Sequence, residues 1–169
     1  MCVSDLSPGS VEPLLLGRFG RPYRFVAECA STQRLLEGDE TEGTTVATNL
    51  QTQGRGRLGR SWEAPAGRAL LFSVLLRPTP PMPLWPELSL VAGDAVATAL
   101  RVVTGVDSEL RHPNDVLVDG RKLAGILAEA ILIADRKRSF GGDVSLLRRF
   151  AEPLHRLRFA PGQIGRAHV

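Results

Sequence analysis

Two apolar runs, Val116–Val118 and Arg121–Ala130, are separated by Asp119-Gly120 alone. A two-residue Asp-Gly connection takes both residues to positive φ, so the runs pair as an antiparallel hairpin through a type I′ turn. An isolated hairpin is barely stable in water and needs a second layer to cover its apolar face. Residues 87–104 supply one. Leu88, Val91, Ala95, Ala99 and Val102 recur at helical spacing, which predicts a helix with that face buried, and Gly105 stands where a C-cap belongs. The expected fold is α+β: a mixed, largely antiparallel sheet with helices packed on one side.

The remaining elements fit this plan. Tyr23–Glu28 alternates as a short strand does. Ser31 is placed to cap a short helix that carries Leu35 and Leu36 and ends near Gly38. Thr44–Asn49 is β-branched, and Ala69–Arg77 is an apolar run of strand length, expected to be fully buried. A proline-rich connector, Pro78–Pro83, precedes the helix, and Val106–Arg111 reads as a strand. Residues 1–22 read as a loose lead-in too short for a helix-turn-helix module, so no DNA partner is expected. Residues 23–130 form the body. Residues 131–169 form an atypical tail with an amphipathic stretch over 144–158, through Leu147, Phe150, Leu154 and Leu157.

A chain of 169 residues suits one domain with a real core. Its two cysteines, Cys2 and Cys29, are far apart and have no accompanying histidine cluster, which argues against a disulfide scaffold or a zinc site. No run approaches the ~20 apolar residues of a membrane span, and the N-terminus lacks a secretory pattern, so the expected location is the cytoplasm. The net charge is +3, but residues 1–130 carry 13 Lys/Arg against 15 Asp/Glu while residues 131–169 carry 8 against 3. The basicity belongs to the tail, and a phosphate-backbone face on the body is not supported.

Two segments could carry chemistry. Gly54-Arg55-Gly56-Arg57-Leu58-Gly59-Arg60 satisfies G-x-G-x-x-G, yet Pro65 and Gly67 forbid the helix a dinucleotide fingerprint requires, and no acidic residue follows about 20 positions on. A glycine-permissive loop with three guanidinium groups can instead wrap a carboxylate or phosphate. Its like charges predict that it orders only upon ligand binding. The plainer alternative is a solvated surface loop. The second segment runs from Arg111-His112-Pro113-Asn114-Asp115-Val116 into the hairpin. Lys122, just past the turn, is a compact charge suited to neutralising a phosphoryl oxygen, and Gly125 leaves room for a flat ligand. Alternatively, Asn114 and Asp115 are only turn formers and Lys122 a solvated edge residue.

Ser31-Thr32-Gln33, the QxxGRGRxGRxW run from Gln51 to Trp62, the PNDV run from Pro113 to Val116 and GRKLAGILAE from Gly120 to Glu129 together resemble the catalytic domain of biotin protein ligases, over roughly residues 23–130. The resemblance implies an incomplete class II aminoacyl-tRNA-synthetase-like biotin/lipoate ligase fold. It also implies a two-step reaction: biotin is activated with ATP to biotinyl-5′-AMP, then passed to a lysine of a carboxylase's biotin carboxyl carrier domain. By motif matching, Ser31, Thr32, Gln51, Gly54, Arg55, Arg57, Lys122 and Gly125 line the biotin pocket. Arg57, Arg60, Trp62, Asn114 and Lys122 meet the nucleotide, and Arg57, Lys122 and Asp115 are the catalytic candidates. Mg²⁺ is implied as the charge neutraliser of the triphosphate, without dedicated protein ligands. A homodimer is compatible with the resemblance.

The sequence departs from the family pattern in places. Arg111-His112 stands where Lys-Trp is usual, Gln33 where Asn is usual, and no Gly-x-Gly-x-Asn strand follows Glu129. Residues 164–169 read as a translated sequencing adapter, so His155 and His168 receive no role. The expectation is a C-terminally truncated ligase, weakly active or inactive on its own. A lipoate–protein ligase, a non-catalytic biotin- or nucleotide-binding fragment and an RNA binder are the competing readings. The scarcity of aromatics speaks against the last.

Overall fold

The computed structural model describes residues 5–79 and 81–130. The amphipathic stretch over 144–158, the missing Gly-x-Gly-x-Asn strand and the terminal residues all lie outside that range. Among the described residues, six strands form two three-stranded sheets. In the first, β2 (Thr45–Gln51) is central, parallel to β1 (Tyr23–Cys29) and antiparallel to β3 (Leu71–Val74). In the second, β4 (Glu109–Arg111), β5 (Asp115–Val118) and β6 (Arg121–Gly125) form an antiparallel meander. The expected mixed, largely antiparallel arrangement is present, but as two sheets with one parallel pair.

Alternation along β2 sends successive side chains to opposite faces, and both faces are covered. Val46 packs with Leu36 and Leu75, while Ala47 packs with Tyr23, Leu6 and Val11. The lead-in is therefore not loose. A short helix α1 (Pro8–Val11) sets Val11 beside Leu6, and Tyr23 donates its hydroxyl to the Leu6 carbonyl at 2.9 Å. Hydrogen bonds from Ser10 and Ser7 hold the Asp5 carboxyl below its ordinary pKa and tie down the start of α1.

Helix α2 spans Glu87–Thr104 and closes on Gly105 at φ 70°, with its amide bonded to Arg101 O. Its buried residues are Gly93, Ala95, Ala97 and Ala99, whereas Val102 is half exposed. The bulky positions do not define the contact because the helix approaches β4 closely. A Cβ on Gly93 would stand 2.5 Å from Leu110 Cδ1, so small residues face the sheet. Two further expectations need correction. The Ala69–Arg77 run forms β3 over Leu71–Val74, with Leu75 adding backbone bonds to Gly43 and Thr44, and it is not fully buried, since Phe72 is exposed. The Thr32–Leu35 segment is a single 3-10 turn, and Ser31 occupies its N-cap position without a side-chain capping bond.

Candidate functional site

The hairpin forms as its turn chemistry demands, with Asp119 at φ 51° and Gly120 at φ 70°. Val118 therefore pairs with Arg121 and Leu117 with Lys122. An irregularity at Val116/Leu117 then shifts the register by one, so that Gly125 rather than Ala124 faces Asp115. Two consequences follow. Asp115 and Leu117 share a strand face, so Lys122 opposite Leu117 lies on the side of the Asp115 carboxylate, and its ammonium reaches Oδ1 at 2.8 Å. Gly125 also gives the lysine a floor without a side chain. A Cβ there would meet Lys122 Nζ at 3.2 Å and Trp62 Cζ3 at 3.2 Å. Lys122 Nζ lies 5.3 Å from the centre of the Trp62 ring, within cation–π range.

The Gly/Arg segment is a folded hairpin rather than an unordered loop. Trp62 N bonds Gly54 O at 2.9 Å, Gly56 N bonds Arg60 O at 2.7 Å, and Arg55 bridges Ser61. A 3-10 turn over Arg57–Gly59 forms the tip, where Leu58 takes φ 57° and is 91% exposed. The expected charge repulsion is relieved by partners that flank the second sheet. Arg55 grips Glu129 with both Nη atoms, at 3.0 and 2.8 Å, and Arg57 Nη1 donates to Asn114 Oδ1 at 3.1 Å. Asn114 is held in turn, since its Nδ2 donates to Ile126 O and its carbonyl accepts from Ile126 N.

Under this loop lies an open cavity of about 520 Å³, lined by Arg34, Arg55, Arg57, Arg60, Leu127 and Glu129 among others. Glu129 offsets one guanidinium, and the others give the cavity a net positive character. Lys122, Asn114 and Trp62 do not line it; they stand beside it, joined through the Arg57–Asn114 bond and the Trp62 ring. Ser31 and Thr32 are both nearly fully buried. Gln51 Oε1 accepts from Thr32 N at 2.8 Å and from Thr32 Oγ1 at 3.0 Å, and Thr32 Oγ1 also contacts Ser73 Oγ at 2.7 Å. Ser73, Arg34 and Glu129 were not singled out from sequence. Only Glu129 carried a signal, as the acid that ends the Gly120–Glu129 motif. Cys29, two residues before Ser31, has its thiol pKa pushed up by burial, which argues against a thiolate nucleophile.

The model of the biotin/lipoate A/B protein ligase family matches residues 26–142. The chain is 38% identical over 114 residues to the bifunctional ligase/repressor BirA of Bacillus spizizenii, covering 65% of this chain and 35% of the relative. It is 41% identical over 118 residues to the biotin–[acetyl-CoA-carboxylase] ligase of Mycobacterium tuberculosis, covering 64% and 44% respectively. Among solved structures, the biotin protein ligase from Aquifex aeolicus in complex with biotin and ATP superposes with a TM-score of 0.58 at 30% identity, over 77% of this chain and 68% of that one. The chain belongs to the biotin/lipoate A/B protein ligase family, and its mixed α/β fold is the class II aminoacyl-tRNA-synthetase-like fold of the biotin protein ligases. It spans about a third of the length of the BirA relative.

Proposed function

We propose that this chain carries the biotin-activating site of an ATP-dependent biotin–protein ligase. The observation that carries the reading is the linkage of the Gly/Arg loop to the Lys122 hairpin: Arg57 donates to Asn114, and the ammonium of Lys122 pairs with the adjacent Asp115 and lies against Trp62, while Arg57 and Arg60 line the neighbouring cavity. Joining biotin to ATP brings a carboxylate to a polyphosphate, and two anions meet productively only among fixed cations. The Thr32–Gln51 cluster, with Ser31, Gly54 and Gly125, offers the hydrogen-bonding groups and the bare backbone that a flat ureido ring needs. Arg55 adds its place in the loop rather than its fork, which Glu129 already holds.

In the first step the biotin carboxylate attacks the α-phosphorus, the bond to the β-phosphate oxygen breaks, and pyrophosphate leaves. Lys122 and Arg57 hold the oxygens on which negative charge builds, and Arg60 faces the departing phosphates. Trp62 presents a ring face to the nucleotide base, and Asn114 fixes Arg57. Asp115 sets the position of the Lys122 ammonium. In the second step a carrier lysine attacks the mixed anhydride, an amide forms and AMP leaves. The loop covering the cavity shields that anhydride from water.

Among the described residues no group of three or more His, Cys, Asp or Glu could hold a metal ion. Asp115 and Glu129 are each engaged by a cation. In this reading Mg²⁺ arrives on the triphosphate, and no step is drawn through it. Neither does any helix of the described residues have the length and apolarity to cross a membrane. The reading places the protein in the cytoplasm, with its carboxylase partner. Incubation with ATP, Mg²⁺, biotin and a biotin carboxyl carrier domain, followed by detection of biotinyl-lysine, tests it directly. Labelled carrier supports the reading, and unlabelled carrier alongside tight biotin binding reduces it to a binding fragment.

A further inference from the structure

Arg55 and Glu129 stand 74 residues apart in sequence, and their side chains form a two-pronged pair, Nη1 to Oε2 at 3.0 Å and Nη2 to Oε1 at 2.8 Å. No other loop arginine is bound this way. Arg57 makes one bond to a neutral amide, and Arg60 lines the cavity. A guanidinium whose two parallel donors are taken by a carboxylate has spent the geometry that recognises a ligand carboxylate or phosphate. Glu129, for its part, follows a segment past β6 that is anchored at Ile126 and Leu127. Leu127 O accepts from Gln33 Nε2 at 3.1 Å, and Ile126 pairs with Asn114. The pair thus joins the ascending limb of the loop to a segment held by both Gln33 and Asn114.

From this geometry we infer that Glu129 is a positioning residue, and that Arg55 is its strut rather than a ligand for the anionic substrates. The inference rests on the ligase reading for its effect on substrates, but not for the clamp itself. Arg55 sits directly after Gly54, whose backbone is pressed against the Trp62 carbonyl, and is itself one half of the bridge to Ser61 that closes the turn carrying Arg57 and Arg60. Holding Arg55 therefore fixes where the next two guanidinium groups face. Glu129 also offsets the Arg55 charge, which leaves Arg57 and Arg60 to supply the positive charge of the loop.

The test is a charge swap in the full chain, read by amide hydrogen exchange without ligand. An exposed pair contributes modestly, so E129R and R55E should each speed exchange over residues 54–61 by about fivefold, and the R55E/E129R double variant should return to within about twofold of wild type. Exchange over β5 and β6 serves as the internal reference and should stay unchanged. Unchanged loop exchange in the single variants, a double variant no better than they are, or acceleration spread equally over β5 and β6 would each overturn the inference. Biotin-dependent ATP–pyrophosphate exchange gives the second readout. KM for biotin and ATP should rise in the single variants and recover in the double variant, with kcat steady. A double variant that regains slow loop exchange but not its KM values would return Arg55 to the ligand-binding set. A wild-type chain with no pyrophosphate exchange would sink the ligase reading while leaving hydrogen exchange to decide the clamp.

Discussion

Lys122 Nζ lies 2.8 Å from Asp115 Oδ1, and that oxygen is shut off from solvent without a well-angled hydrogen bond of its own. The contact is therefore an ion pair by proximity, and the lysine is what compensates a buried carboxylate oxygen. The same ammonium faces the Trp62 ring and the bare backbone of Gly125. One side chain thus serves stability and, in the proposed reaction, charge neutralisation.

Those two roles should come apart by mutation. K122A leaves the Asp115 oxygen uncompensated and should lower unfolding stability by about 1–2 kcal/mol, discounted because both side chains keep some exposure. Adding D115N should recover most of that stability in urea denaturation. Adenylate formation should stay down by about a hundredfold in both variants, as expected when a fixed charge at the reacting oxygens is removed. Recovery of activity in the K122A/D115N variant would show that Lys122 is only structural.

Gly54 and Gly125 are the two positions where a methyl group should be felt most at the site. A Cβ on Gly54 would run into the Trp62 carbonyl, and one on Gly125 would press Lys122 and Trp62 at close to 3 Å. G54A should open the loop hairpin, and G125A should displace the lysine. Each should raise KM for biotin and ATP by about tenfold or more, with far-UV circular dichroism unchanged. Wild-type KM values in either variant would contradict the packing described.

Burial raises the Tyr23 pKa from 10.0 to about 12. The folded state therefore favours the neutral phenol, whose stabilisation is complete below the unfolded pKa near 10 and is lost as pH climbs towards 12. Unfolding stability should fall across that window, and Y23F should remove this component. At neutral pH Y23F should cost about 1 kcal/mol for the lost bond to Leu6 O. An identical alkaline slope in Y23F and wild type would assign the loss to other groups.

The elements legible in the sequence were those whose signals are local. Asp119-Gly120 set the hairpin, and Gly105 ended α2 where expected. What faced what was harder to read. The buried face of α2 follows Gly93 and its neighbouring alanines because Leu110 approaches so closely, and no periodicity of large residues reports that. The packing of Leu6 and Val11 on Tyr23 comes from a long-range contact with a segment that lacks any period. At the site, Thr32 meets Gln51, Lys122 meets Trp62 and Arg57 meets Asn114, each a pairing between segments that motif matching named separately. The bidentate use of Arg55 by Glu129 depends on two distant segments meeting, which no single motif encodes.

Biotin-dependent exchange of labelled pyrophosphate into ATP probes the central claim most directly, since it requires both anions to meet among Arg57, Arg60 and Lys122. The account predicts exchange that needs biotin, exceeds that of K122A, falls in R57A and R60A, and is not supported by lipoate. A folded chain that binds neither biotin nor ATP, or exchanges equally well with lipoate or with Lys122 removed, would contradict it.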